Sequence, residues 1–463
     1  MMRITARKVC CILLVVAAIM LSGSLVYAET SPVNITADAS SKPQTVSPWF
    51  RPPGHQEYLT GDWGGMREEL ADKGVTVTST YVCDILGNPT GGRAQGIRYD
   101  HSMGMDVNVD LEKAADIEGL QFHVSGIYRA GHNLSADKIG NAFTVTSIFG
   151  SEQLRFYGLY LDKALLDDRL HIRFGRISTG DDFAASPIYW IYVNNAIDGN
   201  PISIPLNLPF FTYPTAVWGV RTKLDVTDTF YSMTGVYNGD PDVGRDEYHG
   251  LDFSMRLSKG VLYAQEFGYT PNNEPDAEGL PGHYKIGGYY HSGVFWDLLD
   301  DANENSYILT GLSPKKHVGN YGCYAHADQM VYREGSPGSD QGLTAFAAAT
   351  FAPPHLNQFP FFVMGGIFYK GLIPGRDDDI IAVGSAYGLW SRDLNRAEND
   401  TRTVMGASAP TPQDYEIMVD FTYKAQITPW FFVQPDFQYI INPGGTDDYP
   451  NAVVAGVRLG VTF

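Results

Sequence analysis

The last two apolar segments of the chain alternate residue by residue between apolar and polar side chains. In the segment that begins at Trp430, one face carries aromatic and aliphatic residues, and the other carries Gln434, Asp436 and Gln438. The final segment, residues 451–463, repeats the pattern and ends on a phenylalanine. Because a β-strand points successive side chains to opposite faces, both segments are predicted strands. Aromatic residues on one face and polar residues on the other are typical of a membrane β-barrel with lipid outside and water inside.

The N-terminus has the features of an export signal. Arg3, Arg7 and Lys8 precede an apolar run that is too short for a membrane-spanning helix. Small residues then precede a predicted cleavage site after Ala28. We therefore predict that residues 1–28 are a signal peptide, which is removed when the chain is exported.

Three segments follow the predicted signal peptide. Residues 29–57 are rich in Ser, Thr and Pro, which predicts a flexible periplasmic lead-in. Residues 58–74 place apolar residues at helical spacing and end on a glycine, which predicts a short N-terminal helix. From Val75 onward the apolar period is two, so residues 75–463 are predicted to form an all-β, antiparallel transmembrane barrel.

The barrel region contains seventeen candidate strands, among them residues 249–258, 282–295 and 320–333. Single-chain bacterial barrels have even strand counts, so one candidate must be wrong. We predict sixteen strands. We expect the error between residues 282 and 352, where the stretch 297–319 obscures the alternation.

Composition excludes some classes of partner. The formal net charge is −19, and removal of the basic signal peptide makes the chain still more acidic, which argues against nucleic acid. The 49 glycines and the 13% aromatic residues fit curved strands with aromatic girdles. Cys83 and Cys323 follow the signal peptide, and a disulfide between them is left open. Nothing in the sequence implies a metal or an organic cofactor.

Several motifs along the chain resemble those of the OprB family of carbohydrate-selective porins. The resemblance runs from about residue 58 to the end, and its most specific segment extends from Phe174 to Trp190. The other motifs are Gly61–Gly65 with Arg67, Asn194-Asn195, Gly199–Pro201, Tyr213-Pro214, Trp218-Gly219, Ala327–Glu334, Tyr369–Asp379, Gln434–Asp436 and Asn442–Gly445. The resemblance implies an outer-membrane channel for glucose and related small sugars. It also implies that the long connection between residues 178 and 216 folds inward and narrows the lumen.

Two sets of residues are candidates for contact with sugar. The inward loop offers aromatic rings for stacking and carboxylates for hydroxyl groups: Asp181, Asp182, Tyr189, Trp190, Phe210 and Phe211. Strand parity predicts lumen-facing guanidinium groups at Arg129, Arg155, Arg173, Arg221 and Arg458. Arg176 falls on the opposite parity, but a bulge beside Gly175 would turn it inward. The alternatives are that the rings pack the loop against the wall and that each arginine pairs with an inward carboxylate such as Asp106, Asp110, Glu416, Asp420 or Asp436.

Other functions fit the sequence less well. Asp181 and Asp182 are adjacent and cannot easily flank one glycosidic bond, and the chain contains no GxSxG, P-loop or HExxH motif, so no enzyme is predicted. A non-selective or anion-preferring diffusion porin is the main alternative, and a structural or adhesive surface barrel is another. The expected partners are small neutral sugars, outer-membrane lipid and lipopolysaccharide. A homotrimer and a monomer are both left open.

Overall fold

The computed structural model describes residues 56–150, 152–274, 277–406 and 409–463. The predicted signal peptide, residues 1–28, and nearly all of the predicted lead-in, residues 29–57, lie outside these described residues. Both assignments therefore stay predictions.

Sixteen antiparallel strands form one closed barrel, as the sequence predicts. Each strand pairs with its neighbours in the chain, and β1 closes the barrel against β16, with Cys83 opposite Leu459. The strands are β1 Val75–Thr90, β2 Gly96–Asp110, β3 Leu120–Gly131, β4 Gln153–Leu165, β5 Leu170–Ile177, β6 Val217–Thr227, β7 Phe230–Asn238, β8 Val261–Tyr269, β9 Gly282–Asp301, β10 Pro314–Arg333, β11 Gly342–Phe351, β12 Phe361–Lys370, β13 Ile380–Leu389, β14 Tyr415–Thr428, β15 Phe431–Ile441 and β16 Ala452–Thr462.

The surplus candidate strand is residues 249–258, not a segment between residues 282 and 352. This segment alternates in sequence but lies in the connection between β7 and β8 and pairs with no strand. The predicted strands 282–295 and 320–333 are correct in kind but too short. They extend toward each other as β9 and β10 and take up 297–301 and 314–319 of the stretch 297–319.

Helices are short and lie in the connections or before the barrel. They are α1 Met66–Asp72, α2 Leu111–Ala115, α3 Thr179–Asp182, α4 Ser203–Asn207, α5 Tyr307–Thr310 and α6 Arg392–Met405. Helix α1 is the predicted N-terminal helix, and Gly74 follows it with a positive φ of 82°. Within the described residues, none of the helices has the length and apolar character needed to cross a membrane.

The longest connections join β3 to β4, β5 to β6, β7 to β8 and β13 to β14, and they share one end of the barrel, which we call the loop end. Two of them fill much of the lumen. The first joins β3 to β4, and the second, residues 178–216, joins β5 to β6 and is called the inner loop. Ile191, Tyr192 and Val193 of the inner loop pack against wall residues of β11 to β16, and Phe210 packs against the opposite wall.

Polar side chains of β14 and β15 bind the backbone of these two loops. Glu416 accepts hydrogen bonds from the amides of Ala142, Phe143 and Gly444 at 2.8, 2.8 and 2.6 Å. Asp420 accepts from the amides of Val193 and Asn194, both at 3.0 Å. Buried amides need acceptors, and these carboxylates supply them where strand pairing cannot.

The amide side chains of β15 have the same role. Gln434 donates to the Ile191 carbonyl and Gln438 to the Val145 carbonyl, both at 2.8 Å. Gln434, Asp436 and Gln438 are at most 4% exposed. The expectation that this polar face meets water is therefore wrong, because loop backbone covers it.

Replacing Glu416 by alanine tests this anchoring. The Glu416→Ala variant leaves the buried Phe143 amide and the partly buried Ala142 and Gly444 amides without their acceptor, and a buried group in this state costs roughly 1–3 kcal/mol. We expect the free energy of unfolding in lipid vesicles, measured by urea titration, to fall by about 3 kcal/mol or more. The matched control is Glu68→Ala on the exposed surface of α1. Equal stability of the two variants would contradict the anchoring role.

Candidate functional site

A cavity of about 410 Å³ lies inside the barrel against the wall formed by β2 to β5. This volume falls within the roughly 300–1,000 Å³ typical of small-molecule sites. The other half of the lumen is filled by the packed loops. The cavity is lined by wall residues that include Asp106, His123, Tyr157, Tyr160 and Arg173, and by inner-loop residues that include Asp181, Asp182, Trp190, Asn195, Asp198 and Tyr213.

Two arginines of the wall share two carboxylates beside the cavity. Arg173 donates from Nε to Asp162 at 2.8 Å and from Nη1 to Asp182 at 3.3 Å. Arg221 lies 3.1 Å from the same oxygen of Asp182 and 3.5 Å from Asp162. Arg173 also lies 4.5 Å from the centre of the Tyr160 ring. Each cation is thereby balanced by a carboxylate, one from the wall and one from the inner loop.

Arg458 and Arg155 are also paired. Arg458 bonds Asp84 of β1 and Asp198 of the inner loop, both at 2.8 Å, and is only 5% exposed. Arg155 donates to Asp246 at 3.1 Å, in the connection between β7 and β8. These two arginines therefore follow the alternative considered from sequence, in which each arginine pairs with a carboxylate. Their partners differ from the five carboxylates considered from sequence.

Arg129 occupies an aromatic corner of the cavity. Its guanidinium carbon lies 4.2 Å from the centre of the Tyr213 ring, and its Nη1 donates to the Phe149 carbonyl at 3.1 Å. Tyr213 meets Tyr157 edge to face at 5.3 Å. Tyr157 in turn donates its hydroxyl to both oxygens of Asp181, at 2.6 and 2.8 Å. An aromatic and hydroxyl surface therefore connects Arg129 to Asp181.

The surroundings of Asp181 raise the pKa of its carboxyl group. It is exposed to the channel, yet protein atoms of the constriction enclose it on several sides. This desolvation raises the pKa of Asp181 to about 6, helped by the negative charge of Asp182 and opposed by the Tyr157 hydrogen bond. Asp181 therefore changes charge near neutral pH.

The four candidate rings of the inner loop divide into two groups. Trp190 is half-buried and lines the cavity. Tyr189 is 1% exposed and forms a 2.7 Å hydrogen bond with His326, and Phe210 packs 5.7 Å from Tyr289. Phe211 is also buried. Tyr189, Phe210 and Phe211 thus pack the loop against the wall, and of these four rings Trp190 is the one that lines the cavity.

Arg176 is among the residues that line the cavity, but its guanidinium group is not a free cation. Its guanidinium group donates to the carbonyls of Asp252 and Ala216 at 2.5 and 2.8 Å. It also lies 4.7 Å from the centre of the Phe253 ring. Gly175 has a positive φ of 148°, but the neighbouring Arg176 side chain binds the backbone of the connection between β7 and β8.

Several lining residues were not predicted. Tyr157 and Tyr160 lie on either side of Gly158, where the pairing of β3 with β4 is irregular, so strand parity could not place both. Lys285 donates to the Ala185 carbonyl of the inner loop at 2.7 Å. The alternation of residues along β9 places Lys285 on the inward face, and this was the sequence signal that could have identified it. No sequence signal pointed to Asp198, whose position depends on how the loop folds.

The described residues contain no group of three or more His, Cys, Asp or Glu side chains arranged to hold a metal ion. Cys83 and Cys323 are both free thiols, on β1 and β10.

Comparison with known proteins agrees with this architecture. The family model described as "Carbohydrate-selective porin, OprB family" matches residues 94–463. Porin B of Pseudomonas aeruginosa is 29% identical over 423 residues, which cover 88% of this chain and 92% of Porin B. The putative porin QuiX of Acinetobacter baylyi is 24% identical over 426 residues, covering 88% and 93% of the two chains.

A solved structure is also similar. The high-pH structure of Pseudomonas putida OprB has a TM-score of 0.84 and 29% identity, covering 89% of this chain and 99% of that one. The family match spans well over half of the chain, from β2 to the last residue. The protein therefore belongs to the OprB family of carbohydrate-selective porins.

Proposed function

We propose that the protein lets small neutral sugars, glucose and related molecules, diffuse passively across the outer membrane through the cavity beside β2 to β5. Family membership and the closed barrel indicate a channel in the outer membrane. The observation that carries the choice of solute is the lining of the cavity, which combines balanced charges, hydroxyl-bonding groups and one accessible indole ring.

The charge balance favours neutral solutes. Arg173 and Arg221 share Asp162 and Asp182, so these two guanidinium groups bring no excess positive charge to the channel. An anion-preferring pore would need such cations without partners. The ion pairs therefore argue for a sugar channel over an anion-preferring diffusion porin.

The remaining groups suit a sugar. A pyranose has apolar C–H faces that pack on an aromatic ring, and Trp190 presents such a ring. Its hydroxyl groups need donors and acceptors, which Asp181, Tyr157 and the Arg173 guanidinium group, 20% exposed, supply. These contacts are few, which lets the sugar leave as readily as it enters.

The proposal includes export of the chain by its signal peptide and contact of the barrel with outer-membrane lipid. Residues 1–28 would be removed after export, as their composition predicts. The outward apolar side chains would then face outer-membrane lipid and lipopolysaccharide. Neither a monomer nor a homotrimer is favoured by the contacts of a single chain.

Block of ion current by glucose tests the proposed function. Purified protein in planar bilayers should show current that falls as glucose is added, because bound sugar occupies the cavity. In the Trp190→Ala variant the glucose concentration for half-block should rise about tenfold, as expected for the loss of about 1.4 kcal/mol of stacking. Trp296→Ala is the matched control, since Trp296 is 48% exposed outside the cavity. A wild-type current that no sugar reduces would refute a sugar site.

The pH dependence of ion selectivity tests the position of Asp181. Because its pKa is raised to about 6, the carboxyl group is neutral below that pH and negative above it. Raising the pH from about 5 to about 7 should increase the permeability ratio of K⁺ to Cl⁻, measured from reversal potentials. Asp181→Asn should remove this step, and Asp167→Asn in the β4–β5 turn should keep it. The same step in all three proteins would place the titrating group elsewhere.

A further inference from the structure

The barrel wall has a gap at the loop end of β5. Strand β4 begins at Gln153, but its pairing with β5 begins only at Leu159 opposite Arg176. Strand β5 ends at Ile177, where the chain turns into the lumen as the inner loop. One edge of residues 153–158 therefore has no strand beside it.

The connection between β7 and β8 passes through this gap. Inside the barrel, Val243 belongs to the apolar cluster around Phe210 and Phe211. At the rim, the Phe156 amide donates to the His249 carbonyl at 2.9 Å. Gly250 follows with a φ of 73°, and a Cβ atom there would lie only 1.9 Å from the Phe156 carbonyl oxygen. Only glycine permits the chain to cross so close to β4.

Beyond Gly250 the chain lies on the outer face of the barrel. Trp218 points outward, since its neighbours Val217 and Gly219 face the interior core. The Phe253 ring packs 6.3 Å from Trp218 and 5.8 Å from Phe156, both on the outer face. We call residues 250–257 the outer strap.

Side chains of three successive strands bind the backbone of the outer strap. Arg176 of β5 donates to the Asp252 carbonyl, and Trp218 of β6 donates to the Phe253 carbonyl at 2.9 Å. Asn238 of β7 donates to the Ser254 carbonyl at 3.1 Å. Irregular backbone in contact with lipid needs such internal partners, because hydrocarbon supplies none.

The charges of the outer strap are also paired. Arg256 donates to Asp252 within the strap and to the buried Asp240, both at 2.9 Å. The buried Arg176 guanidinium, 1% exposed, is used for the strap backbone. The charged groups of the strap are therefore paired, and the Arg256 side chain is 40% exposed.

The apolar side chains of the strap point away from the barrel. Their exposed fractions are large for residues of this type, at 62% for Leu251, 41% for Phe253, 55% for Met255 and 55% for Leu257. Trp218, which contacts Phe253, stacks at 5.9 Å on Phe174 of the wall, and the wall residues Leu154, Phe174 and Val220 are themselves exposed. The strap thus continues the apolar belt that faces lipid around the barrel.

From these observations we infer that the outer strap is immersed in the membrane and that acyl chains cover Leu251, Phe253, Met255 and Leu257. A segment that connects two strands at the loop end is then part of the lipid-facing surface. Continuity with the belt and the bound carbonyls suit a water-poor environment, and the paired charges lower the cost of entering it. In a membrane barrel, lipid also surrounds the neighbouring wall.

A fluorescent probe on the strap tests this inference. The Met255→Cys variant, with the native cysteines replaced by alanine, is labelled with an environment-sensitive dye and reconstituted in phosphatidylcholine vesicles. Nitroxide-labelled phosphatidylcholine should quench most of the emission, and aqueous iodide should quench little. Met405→Cys, in α6, is the matched control because Met405 is 61% exposed and Met255 is 55% exposed. There iodide should quench and the nitroxide lipid should not.

Each alternative result overturns the inference. Quenching of the label at position 255 by iodide to the same extent as at position 405 would place the strap in water. Protection from both quenchers would mean that protein, such as a second copy of the chain, covers the strap. The conductance of the labelled variant is measured as a control. A value equal to that of the wild type shows that the barrel has folded.

Discussion

Buried polar side chains on the inner wall hold two loops inside the barrel, and the shape of the channel depends on this anchoring. A loop inside a barrel carries amides and carbonyls that strand pairing cannot satisfy. Glu416 and Asp420 accept from loop amides, and Gln434 and Gln438 donate to loop carbonyls. Arg458 joins the wall to the inner loop through Asp84 and Asp198. With one half of the lumen filled in this way, the open space lies against β2 to β5.

The same pairing sets the electrostatics of the channel. A guanidinium group in a confined space is stabilised by a compensating charge, because removing an ion from water is costly. Arg173 and Arg221 meet this need with one carboxylate of the wall and one of the inner loop. The ion pairs therefore fix the loop and cancel the charge together. A solute in the channel can then contact Trp190, the Tyr157–Asp181 pair and the part of Arg173 that faces the channel. These groups can bind a neutral polyol.

The fold was largely predictable from the sequence, and the site only in part. The period of two marks strands because burial and lipid contact act on alternate residues, but it also occurs at residues 249–258. There the outward residues are apolar for the same reason, contact with a water-poor surface, although no strand forms. Parity located the inward arginines, yet it could not reveal Asp198 or Asp246 as partners, because those positions depend on the path of long loops. For the same reason Trp190 and its neighbour Tyr189 could not be distinguished before the loop was seen.

The position of the channel can be tested most directly by thiol modification during current recording. In a background without native cysteines, Thr212→Cys lies on the cavity and Ala382→Cys lies in the packed half, where Ala382 is 3% exposed. A charged methanethiosulfonate reagent should reduce the current through the Thr212→Cys channel and leave the Ala382→Cys channel unchanged. Equal reduction in both variants, or reduction only at position 382, would contradict a channel confined to the wall of β2 to β5.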